Sequence, residues 1–523
     1  MSQHEECVPL LRGRLLAMLY ALGAALVLVP IFLVRVPCLG DYLNHLARIH
    51  VLTTIGGSPA LRKFYDPHWQ IVPYFGMDVP VALLAQFMGI YTAGRIFVAA
   101  CVLMPAAAAA SLQLAVHRRV GAMPLLGLAL GYNFVLALGF LNYLFSAGLA
   151  VMLFAAWLAT DGWARWRRAA LFAPLALLLD LSHIMAFAAY GIMVAATAFW
   201  DALRPGNRSS RERLLDLAAA GTQAAGPAAL TLLTFGNETF GTAKITHFGT
   251  IQDRVGALLS PVYFPGGSGL TLLGFIAVYV LGFFAARPLR LAPVVKPALL
   301  ATIVAACVAP HMLLNIWGTD LRLPLIAAIV FLGAIAPRPR LGRPLMLAFG
   351  CAFTLLLCMR VRDATILLRG LDRQVAAMRQ LVTALPLGSR VLLVDGPVDA
   401  PGRLAPLGII EHMALVATID RDAFMPTLFV DNTPLHLLPA MRNASSPAVN
   451  PLTLDQLWDG YRRRAPVGKL PTYREGGQMY WLGWPQKFDF VLLTHFGASP
   501  GPLPPDLHQV AGNGVANLYR ISN

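Results

Sequence analysis

The sequence predicts a polytopic α-helical membrane protein of about eleven spans, followed by a C-terminal soluble α/β domain. The prediction rests on composition, on the spacing of apolar runs and on where the basic residues fall. Of the 523 residues 57% are hydrophobic and 13% charged, against roughly 45–50% apolar and 25% charged in soluble proteins. With a mean hydropathy of +0.63, this excludes an ordinary soluble enzyme, a disordered chain and a disulfide scaffold.

Apolar runs that meet the span criterion of about 20 residues fall near 15–34, 92–116, 121–137, 140–160, 169–183, 184–200, 217–235, 269–286, 297–313, 322–337 and 344–360. Basic clusters recur at every second connection: Arg12 and Arg14; Arg118 and Arg119; Arg165, Arg167 and Arg168; Arg204, Arg208, Arg211 and Arg213; Arg287, Arg290 and Lys296; Arg338, Arg340 and Arg343. Threading eleven spans puts them all on one side, which the positive-inside rule makes the cytoplasm. Residues 1–360 hold 26 Lys and Arg against 13 Asp and Glu, a surplus of 13 of the total +15. The basic excess is therefore a topology signal and not a nucleic-acid footprint. The first run ends in Arg35-Val36-Pro37-Cys38 without a small-x-small cleavage site, and reads as an uncleaved anchor.

The stretches 35–91, 236–268 and 361–523 then face outward, which places a bacterial chain in the inner membrane with its tail in the periplasm. In the first loop, Leu43, Leu46, Ala47 and His50 at helical spacing predict a short helix lying in the interface, with Asp41 as its N-cap. Residues 58–66 and 78–90 predict two more. After the membrane part, 1–360, residues 361–523 begin with an amphipathic helix over 363–385. Val391-Leu392-Leu393-Val394-Asp395 and Phe488-Asp489-Phe490-Val491-Leu492-Leu493 are buried-strand patterns, and 453–464 a further helix. The cysteines, Cys7, Cys38, Cys101, Cys307, Cys351 and Cys358, have no CxxC spacing and form neither a disulfide framework nor a zinc ribbon.

Asp41 stands just past the outer end of the first span, with His45 one helical turn on and Arg48 three residues further, all on one face. A carboxylate there can take a proton from an acceptor hydroxyl, and a neighbouring His or Arg can hold a lipid phosphate. The plainer alternative is that Asp41 caps a helix and His45 faces water. Arg35, Arg48, Lys244, Arg254 and Arg322 are further cations at the outer face, each also explicable as a snorkelling side chain. Arg322 stands out because it begins a span with Asp320 and His311 nearby. Asp180 lies within an apolar run three residues from His183; intramembrane acids are costly and serve function or a buried pair. Glu238, His247 and Asp253 in the second outer loop could supply a second acid or be solvated loop residues.

These motifs resemble the GT-C superfamily of integral-membrane glycosyltransferases. Gly40-Asp41-Tyr42-Leu43-Asn44-His45-Leu46-Ala47-Arg48 is similar to bacterial members in which Asp-Tyr-x-x-His follows the first helix. Gly139-Phe140-Leu141-Asn142-Tyr143-Leu144, Leu181-Ser182-His183 and Thr319-Asp320-Leu321-Arg322 resemble later turns of the family, so the likeness covers roughly residues 10–360. The resemblance implies transfer of a sugar from a polyprenyl-phosphate carrier to an acceptor hydroxyl of a glycan, lipid or protein on the outer face, usually with inversion. It assigns Asp41 the general base. Some relatives use paired acids or a divalent metal; here Tyr42 follows Asp41, so the pair is absent and a divalent metal is left open. No Walker loop, GxGxxG or HExxH occurs, as expected where the donor is carried by lipid. A lipid transporter or flippase, or a non-catalytic envelope assembly protein, are the competing readings. A transporter would show inverted repeats and midplane charges, and no such symmetry is visible.

Overall fold

The computed structural model describes residues 13–68, 74–205, 209–235, 246–285, 290–314, 316–335, 343–396, 409–430, 433–445, 451–463, 470–471, 478–499 and 501–522. The helices, in chain order, are α1 Gly13–Phe32, α2 Tyr42–Thr54, α3 Phe75–Ala85, α4 Ile90–His117, α5 Leu126–Ala129, α6 Phe134–Ala137, α7 Leu141–Ala159, α8 Arg165–Ser182, α9 Ile184–Leu203, α10 Ser210–Phe235, α11 Ile251–Leu259, α12 Gly269–Ala285, α13 Lys296–Val308, α14 Thr319–Ala334, α15 Arg343–Val382, α16 Ile409–Met413, α17 Val416–Arg421 and α18 Leu454–Arg462. The strands are β1 Tyr65–Pro67, β2 Met312–Leu313, β3 Ile316–Trp317, β4 Val391–Asp395, β5 Leu435–Leu437, β6 Leu452–Thr453, β7 Phe490–Thr494, β8 Leu507–Gly512 and β9 Ala516–Ile521.

Among the described residues four helices, α1, α4, α7 and α9, are long and apolar enough to cross a membrane. The chain is a multi-pass membrane protein. Its helices have two distinct ends. At one end Arg118, Asp161, Arg165, Arg168, Arg213 and Val294 line a common cavity. There too the Tyr20 hydroxyl of α1 donates to Gly121 O at 2.9 Å, and His117 meets Ala334 O at 3.0 Å. Arg118, Arg165, Arg168 and Arg213, at or beside the connections α4–α5, α7–α8 and α9–α10, thus gather at one end of the bundle. Arg12, Arg208, Arg287, Arg338 and Arg340, with Lys244 and Glu238, lie outside the described residues.

The expected helix over 121–137 is broken. A turn at Met123–Leu125 leads into α5, and α6 begins only after Gly131-Tyr132-Asn133. Asn133 causes the break: its carboxamide oxygen accepts Leu136 N–H at 2.9 Å and its nitrogen donates to Leu130 O at 2.8 Å, capping α6. Gly131 lies against the Val102 backbone of α4, a place that no Cβ can share. Likewise 58–66 is not a helix but a 3-10 turn, Leu61–Lys63, leading into β1. The pairing partner of β1 is β5, far along the chain, so tertiary pairing overrides the local pattern.

α2 lies where the sequence puts it, but it is not an interfacial helix with a wet face. Tyr42, Leu43, Asn44, Leu46, Ala47, Arg48, Ile49 and Val51 are all buried. The reason is a cover from the C-terminal part: α16 and α17 pack on α2, while α3 and α4 lie beneath it. His50 meets Asp422 at 3.0 Å, the Ser58 hydroxyl donates to the same carboxylate at 2.7 Å, and β1 pairs antiparallel with β5.

α15 runs unbroken across residue 361. Its 40 residues make a rod of about 60 Å at ~1.5 Å per residue, twice the ~30 Å hydrocarbon thickness. Val361, Ala364, Leu368, Leu371, Val375 and Met378 form its buried stripe beyond the membrane length. The rod leads into a five-stranded sheet of order β6-β4-β7-β9-β8. β4 is parallel to β6 and β7, and β9 is antiparallel to β7 and β8. Both apolar runs that predicted strands, now β4 and β7, lie side by side at its centre, and β7 begins two residues later than expected.

Gly139 links this architecture to the candidate base. Its φ is +75°, and a Cβ there would overlap the backbone nitrogen of Asp41. The adjoining turn holds that segment through Gly40 N–H to Ala137 O at 2.9 Å and Asp41 N–H to Leu138 O at 3.0 Å. Gly139→Ala is expected to destabilise the protein by about 1–3 kcal/mol, read as a lower melting temperature of the detergent-purified chain. An unchanged melting temperature would show that the turn can relax away from Asp41.

Candidate active site

The end of the helix bundle opposite the basic cavity is built from helix N-termini. α2 begins after Asp41, α3 after Tyr74, α7 after Phe140, α9 after His183, and α14 after Gly318. Contacts chain them together. Met77 N–H of α3 donates to Asn142 Oδ1 of α7. The His183 ring stands edge-on to Tyr74 at 5.3 Å and to Tyr143 at 5.4 Å. The Tyr143 hydroxyl donates to Arg322 O at 2.7 Å, and the Arg322 guanidinium stacks over Phe140 at 4.4 Å. Unpaired N–H groups and aligned dipoles make such a convergence favourable for an anion.

Asp41 occupies the N-cap position of α2, the first of these termini, but its side chain makes no capping bond. One carboxylate oxygen, Oδ1, lies 3.3 Å from His412 Nε2 of α16. The other has no hydrogen-bond partner among the described residues, and the side chain keeps 27% of its exposure. The orientation of His412 is dictated by Asn44. Asn44 Oδ1 accepts Phe429 N–H at 2.7 Å, so its other terminal atom is the donor nitrogen, which bonds Thr427 O at 2.8 Å and His412 Nδ1 at 3.1 Å. His412 Nδ1 is therefore an acceptor. Its proton sits on Nε2, facing Asp41.

Beside His412, Glu411 is half-buried, and burial pushes its carboxyl above the ordinary range. His412 opposes that shift, and the charges of Asp395 and Asp41 add to it. Asp395 ends β4, where its Oδ1 accepts the Thr494 hydroxyl at 2.8 Å; burial raises it too. The carboxyl end of the parallel β4–β7 pair thus feels the same electrostatic field as the first outer loop, the position at which open parallel sheets present their ligand sites. Among the described residues no three His, Cys, Asp or Glu side chains converge as a metal site.

The other residues singled out by sequence divide clearly. His45 and Arg48 do share a face: Arg48 Nη2 donates to His45 Nδ1 at 3.0 Å. But Arg48 is not available to a lipid phosphate, because it is buried and pairs with Asp78 of α3 at 2.7 and 2.9 Å. His45 is half-buried rather than turned fully to water. Burial first, then the charges of Arg48, His412 and His183, hold its pKa well below the usual imidazole value, so it is neutral. Arg35 does not reach the site: its side chain is exposed, and its described contact is the backbone N–H donating to Asp372 at 3.2 Å.

Arg322 is buried at the start of α14, within electrostatic reach of Asp41. Nη1 donates to Trp317 O at 2.6 Å, and Nε has no partner among the described residues. His311 and Asp320 pair with each other at 3.1 Å one layer away, and His311 packs edge-on to Trp317 at 5.4 Å. His183 uses Nδ1 to accept Met185 N–H at 3.1 Å, capping α9. No pair between His183 and Asp180 is found among the described residues; Asp180 is buried and its charge acts on Tyr74. Of the second outer loop, Asp253 closes a capping box with Thr250, and Arg254 donates to Ala309 O; neither is aimed at Asp41.

Sequence reasoning missed Asn44, Asp78, Glu411 and His412. Asn44 stood inside the motif and Asp78 inside an expected helix. Glu411 and His412 left a weaker trace, an adjacent titratable pair in an otherwise apolar stretch.

The Arg48–Asp78 pair yields a direct test. Arg48→Ala leaves Asp78 buried without a partner and is expected to cost about 3–5 kcal/mol of stability. The double variant Arg48→Met/Asp78→Leu removes both charges and should recover most of that loss. Melting temperatures of the single and double variants decide the point; a double variant as unstable as the single would refute the pairing account.

No family model and no curated protein matches the chain. Among solved structures it is similar to ArnT from Cupriavidus metallidurans bound to undecaprenyl phosphate, at 11% identity and TM-score 0.48, over 96% of this chain and 97% of that one. It is also similar to the arabinofuranosyltransferase AftD from Mycobacteria, at 15% identity and TM-score 0.44, over 98% of this chain and 40% of that longer one.

Proposed function

We propose that this protein is a membrane glycosyltransferase that moves a sugar from a polyprenyl-phosphate carrier to a hydroxyl group of an envelope glycan, lipid or protein. The reading is carried by one arrangement: a partly exposed carboxylate with one oxygen against a histidine and the other unpartnered among the described residues, beside a buried arginine and a ring of helix N-termini.

The unpartnered Asp41 oxygen takes the proton of the acceptor hydroxyl as its oxygen attacks the anomeric carbon. The bond from that carbon to the carrier phosphate breaks, and its electron pair leaves on the phosphate oxygen. A single displacement of this kind inverts the anomeric centre. The leaving phosphate gains negative charge, which the helix N-termini and Arg322 stabilise. Arg322 is held flat against Phe140 by stacking, so its orientation is set before the ligand arrives. His412 is a positioning residue: its Nε2 proton keeps Oδ1 turned toward α16 and leaves Oδ2 for the acceptor. A transport site near the bilayer midplane is less well supported, because Asp41, Tyr74, His183 and Arg322 all stand at helix starts.

Asp41→Asn is nearly isosteric and removes the base. It is expected to lower transfer by about 10²–10⁴-fold with the melting temperature kept, measured as sugar incorporated into envelope glycans or glycolipids of a deletion strain carrying the variant. Full sugar content in that strain would refute the assignment. Arg322→Lys keeps the charge but loses the fork and the stacking. It should raise the KM for the lipid-linked donor with a smaller change in kcat, and an unaltered KM would remove Arg322 from the donor site.

A further inference from the structure

The basic end of the bundle carries a cavity of about 760 Å3 that the reaction above does not use. Arg118, Arg165, Arg168 and Arg213 line it, together with Asp161, Asp201 and Asp216, leaving a surplus of positive charge. Arg165 is committed to Asp216 at 2.5 Å. Arg168 stacks on Trp157 at 3.5 Å, contacts an Asp161 whose carboxylate is 74% exposed, and has a buried Nε without a hydrogen-bond partner among the described residues. Arg118 closes α4 in a left-handed conformation with its side chain exposed.

Two further observations say what such a cavity faces. Trp163, Trp166 and Trp200 are exposed around it, and Arg167 and Arg204 lie over Trp166 and Trp200 at 5.3 and 5.6 Å. Tryptophans with arginines in this arrangement mark the boundary between hydrocarbon and headgroups. Beyond it, an apolar groove of about 280 Å3 runs between α9 and α10, lined by Tyr190, Gly191, Val194, Phe199 and Gly221 among others. Ala198 lines both spaces, so the polar cavity and the apolar groove are neighbours.

We propose that this pair of spaces binds an anionic phospholipid from the leaflet at the basic end. The phosphate sits in the cavity against Arg118 and Arg168, and one acyl chain lies in the α9–α10 groove. Charge complementarity selects the anionic headgroup, since a zwitterionic one brings its own cation to a site already positive. The groove selects a lipid over a soluble phosphate, because a headgroup alone leaves the apolar surface uncovered. The site lies at the far end of the bundle from Asp41 and does not depend on the reaction proposed there.

The test uses the full-length chain in a nonionic detergent, with native mass spectrometry and thermal melting. Dioleoyl phosphatidylglycerol, dioleoyl phosphatidylcholine and inorganic phosphate are titrated separately. Phosphatidylglycerol is expected to bind saturably and raise the melting temperature, with phosphatidylcholine about tenfold weaker and inorganic phosphate ineffective at the same concentration. Arg118→Gly suits the left-handed position and should weaken phosphatidylglycerol binding about fivefold, the effect of one cation at a membrane surface. Arg168→Gln should do at least as much. Gly191→Leu, where a new side chain meets nothing within 4 Å on its own Cβ, fills the groove and should also weaken the lipid. Equal binding of the two lipids would overturn the proposal. So would inorganic phosphate binding as tightly as phosphatidylglycerol, which would assign the cavity to a soluble ligand. Arg118→Gly and Gly191→Leu proteins that melt like the unaltered chain and bind phosphatidylglycerol equally well would overturn it too, whatever Arg168→Gln does to folding.

Discussion

A single carboxamide, that of Asn44, fixes the relation between the membrane part and the part beyond it. Its oxygen is bound by the peptide N–H of Phe429, and its nitrogen by Thr427 O and His412 Nδ1. Backbone groups on both sides leave the amide only one orientation, and a buried amide turned the wrong way would leave several groups unsatisfied at about 1–3 kcal/mol each. From that constraint follow the tautomer of His412, the direction of its proton and the face that Asp41 presents. The geometry of the candidate site thus depends on Asn44.

The same constraint explains why α2 is buried. A helix with its apolar residues on one side and Asn44, His45 and Arg48 on the other belongs at a water–lipid boundary when considered alone. Here the polar side is not wet. Asn44 is bonded to the 427–429 segment, Arg48 to Asp78 of α3, and His50 to Asp422 at the end of α17. Each of these three side chains has found a protein partner, which favours its burial, although Arg48 Nε has none among the described residues. The α2 segment is a shared layer between the bundle below and α16–α17 above.

This layering marks how far the sequence could be read. The apolar runs marked the long apolar helices α1, α4, α7 and α9, because lipid enforces that pattern locally. Val391–Asp395 and the run around Phe490 announced themselves as central strands through unbroken aliphatic sequence. Asp41 drew attention in the sequence by its place after the first apolar run. His412 was not: it stands 368 residues from Asn44, the group that orients it, and nothing in a local pattern records so distant a partner. The break at Gly131–Asn133 was hidden for a related reason. Asn133 caps α6 inside a stretch whose hydropathy reads as one helix, and hydropathy does not register caps. Arg48 was misassigned because its counterion, Asp78, is likewise on another element.

The long helix α15 has a mechanical consequence. At its upper half Asp372 accepts the backbone N–H groups of Arg35 and Val36, next to the start of α2. Two turns on, Arg379 grips Asp420 of α17 and lies over Tyr91 of α4 at 4.4 Å. Both walls of the Asp41–His412 contact are therefore bolted to one continuous helix. A tilt of that one helix carries both walls with it, so the separation between carboxylate and imidazole has a single mechanical reference.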